Sequence, residues 1–204
     1  SPLSIHTKQY PLKNEIVLLI TAPAEGLGSS TANTKTYYTD TVSIWNHPHH
    51  AGYPEEGQEL NLGEYFVELP NINPLLPFEG DRLLEGRQGQ SLRFSTSYAD
   101  KTPWTAEENG KPITILRNGQ FSTQESFSLI VEDVNQDDSS IYLTSNQKLA
   151  LTEASSRDYS SYSNNPPTLP KDYTGAQILL NSGRLIFNSK EDHILLSSKK
   201  SINL

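Results

Sequence analysis

The stretch ILLNSGRLIFNSKEDHILLSSKKSINL, residues 178–204, returns isoleucine at a fixed step: Ile178, Ile186, Ile194 and Ile202 lie eight residues apart. Cut into eights it reads QILLNSGR, LIFNSKED, HILLSSKK and a final SINL. A second apolar position recurs at Leu180, Leu196 and Leu204, with Asn188 as the exception. Eight is an even number, so each unit of an extended strand presents the same face, whereas a helix would turn every unit about 80° out of phase. The spacing therefore predicts strand. Each unit exposes an apolar row with nothing to pack on in its own chain, and repeats of this kind need neighbours before a core closes. Short strands separated by Asn, Ser, Gly, Lys and Asp turns suit a β-prism wound from identical chains around a common axis. The alternative on periodicity alone is the edge of a β-meander in a monomer.

Working outward, the composition limits what such a chain can be. Its 204 residues allow one compact domain plus an appendage. The longest apolar run, IVLLI at residues 16–20, is far short of the roughly 20 residues of a membrane helix, and no signal-peptide pattern opens the chain, so neither membrane integration nor secretion is expected. Cysteine and methionine are absent, which excludes disulfides, thiol catalysis and cysteine-based metal sites. The missing initiator methionine predicts a processed or trimmed N-terminus, hence a chain shorter than its gene product. Sixteen basic against 24 acidic residues give a net charge of −8 without a dense basic run, which argues against a nucleic-acid partner. Apolar residues make up only 34%, and the abundance of Ser, Thr, Asn, Tyr and Gly without helical periodicity predicts an all-β protein.

Strands are predicted at residues 14–21, 34–45, 64–70, 90–98, 111–119, 127–134 and 139–152, each bounded by Gly, Pro, Asn or Asp. Long loops are expected at 46–63 and 70–86. The acidic stretch EDVNQDDSS, residues 132–140, lacks the Gly and terminal Glu of an EF-hand loop and reads as a solvated turn. EASSRDYSSYSNNPPTLP, residues 153–170, has almost no aliphatic side chain and reads as a linker stiffened by Pro166, Pro167 and Pro170. The expected organisation is a β-barrel domain over residues 1–152, a linker over 153–174 and an octad-repeat stalk over 175–204.

WNHPHHAGYP, residues 45–54, gathers His47, His49 and His50, but Pro48 and the following Gly place them in a loop without the rigid scaffold a zinc tripod needs. A packed or interface loop is expected, with no metal and no cofactor. No GxSxG elbow accompanies the many serines, and His6 and His193 fall in a terminal arm and a repeat turn, so no catalytic set is expected and the chain reads as a non-enzyme. Tyr37, Tyr38, Phe66 and Trp104 are candidates for a stacking platform for bases or sugars; core or interface packing is the competing assignment.

EGRQGQSLRFSTS (residues 85–97), PW (103–104) and GKPITILRNGQ (110–120) resemble the spike proteins of contractile phage tails. The likeness is to the OB-fold domain of the baseplate hub and central spike of T-even-like myophages, a fold shared with the valine-glycine-repeat proteins of type VI secretion. The order of parts agrees, from YPLKNEIVLLI (10–20) as first barrel strand through DDSSIYLTSNQKLAL (137–151) as last, followed by octads. The resemblance implies an OB-fold-like barrel, a short linker and an intertwined triple-stranded β-helix or prism in a homotrimer, its axis lined by Ile178, Leu180, Ile186, Ile194, Leu196, Ile202 and Leu204. It implies a virion protein of the tail baseplate whose partner is the hub ring protein, with a stalk that either continues past residue 204 or is completed by a separate spike-tip protein. No room is left for the lysozyme domain some hub proteins carry, and the stalk stops after roughly three and a half octads without the HxH iron site found at some spike tips. A carbohydrate-binding tail-fibre module is the second reading.

Overall fold

A computed structural model describes residues 1–4, 6–12, 15–23, 34–42, 71–121, 128–154, 167–200 and 202. Every regular element among them is a strand: β1 (Val17–Pro23), β2 (Thr34–Thr41), β3 (Arg82–Glu85), β4 (Ser91–Ser97), β5 (Lys111–Asn118), β6 (Ser139–Thr144) and β7 (Gln177–Ser182). They make two antiparallel sheets, β1-β2 and β3-β4-β5-β6-β7, the second in strict chain order. The all-β expectation holds at this level.

The chain divides into two compact units built from interleaved segments. The first comprises Ser1–Pro77, Leu83–Ser91 and Ser122–Glu132; the second Phe78–Arg82, Leu92–Phe121 and Asp133–Leu204. In the first, β1 pairs with β2 through a register shift near Val17, and Pro2 bridges Tyr38 in parallel. Leu75, 2% exposed, bridges Ile130 and donates its N–H to Glu85. Glu15 takes a 2.6 Å ion pair from Arg87 and accepts the Leu12 N–H, fixing the arm that leads into β1.

The second unit holds β4 from Leu92 on together with β5, β6 and β7, and its core face is set by strict alternation. Ile113, Ile115 and Arg117 of β5 lie opposite Thr144, Tyr142 and Ser140 of β6, all buried, and Tyr142 in turn faces buried Leu179 of β7. On β4 the buried row is Ser91, Arg93, Ser95 and Ser97, so small polar residues and an arginine point inward while Phe94 points out. This inverts the usual assignment of polar side chains to solvent, and it requires partners. Arg93, fully buried, donates to Asp81 and lies 5.5 and 5.2 Å from the rings of Phe78 and Trp104, which pack edge to face. A guanidinium so placed keeps its charge compensated by a carboxylate and two aromatic faces.

Beyond β6 the strand predicted to run to residue 152 stops at Thr144, because Gln147 captures the backbone. Its Oε1 accepts the N–H groups of Ser145 and Asn146, while Nε2 donates to Ser97 Oγ and to the carbonyls of Lys111 and Pro112. Gln147 is wholly buried, so Gln147→Ala orphans several buried groups at about 1–3 kcal/mol each. The expected result is a midpoint of thermal unfolding lowered by roughly 5–10 °C, read by circular dichroism; an unchanged midpoint would contradict the bridging role.

Two further expectations change, and the turn expected at 132–140 is found. The strand predicted at 127–134 reduces, over its described residues, to the single bridge of Ile130, since Ser128 donates its N–H to Asn73 and Asp133 begins a turn. The stretch 132–140 does form a turn, closed by Asp137 N–H to Asp133 C=O and by Asp133 N–H to Asp137 Oδ2. β3 lies inside the loop predicted at 70–86, joined to β4 by a turn in which Gly86 N–H bonds Gln90 C=O and Gly89 takes φ +80°, a conformation suited to glycine. The strand predicted at 64–70 and residues 155–166 of the linker lie outside the described residues.

Candidate functional site

The octads begin inside the sheet. β7, which carries the first unit, pairs antiparallel with β6 in the register Ile141↔Leu180, Tyr142↔Leu179 and Leu143↔Ile178. The expected boundary before residue 175 therefore does not set the first octad apart: β7 is the last strand of a meander, and only the later octads leave it. Asn181 fastens the end of β7 by donating to Val134 C=O. Within the first octad, Leu179 joins the core while Ile178 and Leu180 point the other way.

After Ser182 the chain continues extended, without strand partners, through residue 198. It bends at 183, at 190–192 and at 199–200, so the bends recur with the eight-residue step of the isoleucines. Local hydrogen bonds shape the second and third: Asp192 N–H to Ser189 Oγ, His193 N–H to Asp192 Oδ1, and Lys200 N–H to Ser198 Oγ. Between the bends the apolar side chains face solvent. Ile178 and Ile186 are each 72% exposed, and Phe187, Ile194, Leu195, Leu196 and Ile202 are exposed as well. Leu204, the remaining residue of the predicted row, lies outside the described residues. Thus six of the seven residues read as trimer contacts are described, on one extended track, exposed in the single chain.

The sheet face continuing from Ile178 and Leu180 is apolar too, and this was missed at the level of sequence. Leu116 of β5 lies beside Ile141, and Ile141 beside Leu180, forming one cross-strand row; Leu143 beside Ile178 forms a second. Phe94 occupies the corresponding outward position on β4. The available signal was SSIYLT, where Ile141 and Leu143 on one parity and Tyr142 on the other make both faces of a strand apolar.

The competing sites gain less. His47, His49 and His50 lie outside the described residues, as does Phe66. Among the described residues no group of three or more His, Cys, Asp or Glu is placed to hold a metal. His193 is exposed and stands 3.7 Å from Asp192. Trp104, 6% exposed, is a core residue packed on Phe78 and Arg93 and cannot serve as an open stacking surface. Tyr37 and Tyr38 belong to β2 in the other unit and are half-buried. The carboxyl of Glu108 is held below its ordinary range by the hydrogen bond and then the charge of Lys111, as in many solvent-exposed pairs. No helix among the described residues is long and apolar enough to cross a membrane. Among the described residues the octads and the outward sheet face therefore offer exposed apolar surface.

Set beside known protein families, curated proteins and solved structures, the chain matches none of them.

Proposed function

We propose that this chain is a homotrimeric structural protein of a contractile tail, the central spike or hub component of the baseplate. In this reading an OB-fold-like barrel docks on the hub ring protein and closes the tail tube. The octads of three copies wind into a β-prism that is driven through the host envelope when the sheath contracts. A separate spike-tip protein completes the needle, and no catalytic or cofactor role is assigned. The observation that carries the reading is the extended octad track, with Ile178, Ile186, Ile194 and Ile202 exposed and bends recurring at the same period among the described residues. Five antiparallel strands suit a small barrel; their strictly sequential order differs from the Greek key of an OB-fold, so that part of the reading rests on the sequence resemblance.

Mechanically the assignment is coherent. Strands hydrogen-bonded across chains around a dry, close-packed core resist bending and local opening, which is what a needle under axial load requires. Cryo-electron microscopy of the intact particle tests it: one trimer on the tail axis is expected. Many copies at the periphery would overturn it in favour of a glycan-binding fibre.

A further inference from the structure

We infer that the outward face of the second unit's sheet is a receptor for the octad segment of a neighbouring copy, so that each chain both gives a segment and receives one. This rests on the proposed trimer and amends its packing: Ile186, Ile194 and Leu196 of each copy seat on the neighbour's sheet face instead of meeting their counterparts on the axis. The face is formed by Phe94, Leu116, Ile141, Leu143, Ile178 and Leu180, and none of the outward positions of β4 to β7 carries a charge, although a fifth of the chain's residues are charged. With most of these side chains close to half exposed, six of them present on the order of 500 Å². That falls in the range of the largest apolar patch of an ordinary monomer and below the roughly 800 Å² per partner of a standard stable interface. The sheet face alone is therefore too small a contact. Adding Ile186, Ile194 and Leu196 of the track, all more than half exposed, brings the total to about that standard.

The occupant follows from what each chain leaves bare. Two distinct apolar surfaces, a sheet face and an extended track, remain open on one chain, and the track does not fold back over its own sheet, since Ile178 stays 72% exposed. Face-to-face pairing of two sheets would be isologous and would leave both tracks uncovered. Track-on-face contact is heterologous, and repeated around a cyclic axis it closes with every face covered. The octad phase supports the match, because Ile178 and Leu180 on the face occupy the same unit positions as Ile194 and Leu196 on the track. Apolar rows with a common spacing along the strand direction can interdigitate.

The absence of cysteine makes the test clean. In the full-length chain, Leu143→Cys introduces one thiol on the face and Lys101→Cys one at a solvent-exposed control position. In the assembled protein the Leu143→Cys thiol is expected to react with a maleimide at least an order of magnitude more slowly than the control. In the Ile186→Asp/Ile194→Asp background, expected to be monomeric, the two should react alike. Combining Leu143→Cys with Ile186→Cys, Ile194→Cys or Leu196→Cys in turn should give covalent trimers on oxidation for at least one pair. A trimer in which the Leu143→Cys thiol reacts as fast as the control overturns this inference and leaves the spike reading standing. The same holds for a trimer that cross-links only Leu143→Cys to its own counterpart. A wild-type protein that sediments as a monomer overturns both.

Discussion

Replacing Ile186 and Ile194 together by Asp is expected to leave a folded monomer where the unaltered chain is expected to sediment as the proposed trimer. Both side chains are exposed in the single chain, at 72% and 51%, so neither change touches its core. Burying each isoleucine contributes about 1.5–3 kcal/mol, so six such side chains in three copies contribute roughly 9–18 kcal/mol. That is comparable with the estimated 4–15 kcal/mol lost in translational and rotational freedom per association. An Asp in their place must also shed water without a partner, which adds several kcal/mol more against assembly. Sedimentation velocity reads the outcome. Lys190→Asp with Ser197→Asp, in or beside the bends, should preserve the trimer; a stable trimer carrying both isoleucine replacements would remove the octad track as the basis of assembly.

The second large effect belongs to the buried charge. Asp81→Ala removes the carboxylate that Arg93 donates to, with Arg93 fully buried and the Asp81 side chain 3% exposed. Removing one partner of a buried pair costs about 3–5 kcal/mol because the other charge loses a carboxylate that compensated it. Against a total stability of roughly 5–15 kcal/mol this is a large share, with an unfolding midpoint lower by about 6–20 °C. Asp81→Leu combined with Arg93→Leu should cost less than Asp81→Ala alone, since no charge is then stranded and the space against Phe78 and Trp104 is filled by carbon. Equal losses for the single and double changes would mean that packing, not charge compensation, governs this cluster.

These two sites differ in how far they were legible in the sequence. The octad track was read from spacing alone, because a strict even period survives whatever the rest of the chain does. Its starting point was not: that the first unit is sheet depends on Leu179 meeting Tyr142, a pairing between residues far apart in the chain. The Arg93 cluster was hidden for the opposite reason. SLRFSTS, read for alternation, puts Phe94 inside and Arg93 outside, and only Asp81, Phe78 and Trp104 together reverse that choice. β3 escaped notice because RLLE is four residues long between turn-forming segments, and its strand character comes from its neighbour. At the end of β6, local side-chain capture by Gln147 overrode strand propensity, which a pattern of apolar residues does not register.

The embedding of the first octad in the sheet has a consequence for how repeated units find one another. A row built from near-identical eights is degenerate: two copies displaced by one unit would still match isoleucine to isoleucine. In the proposed trimer β7 removes that freedom, since its pairing with β6 pins the count to a fixed origin in the folded unit, and every copy counts from the same origin. Asn188, the one polar residue in the second apolar row, adds a mark along the scale, because a slip of eight would set it against Leu180 or Leu196. The sheet thus serves as the zero of a ruler whose divisions are the bends at 183, 190–192 and 199–200.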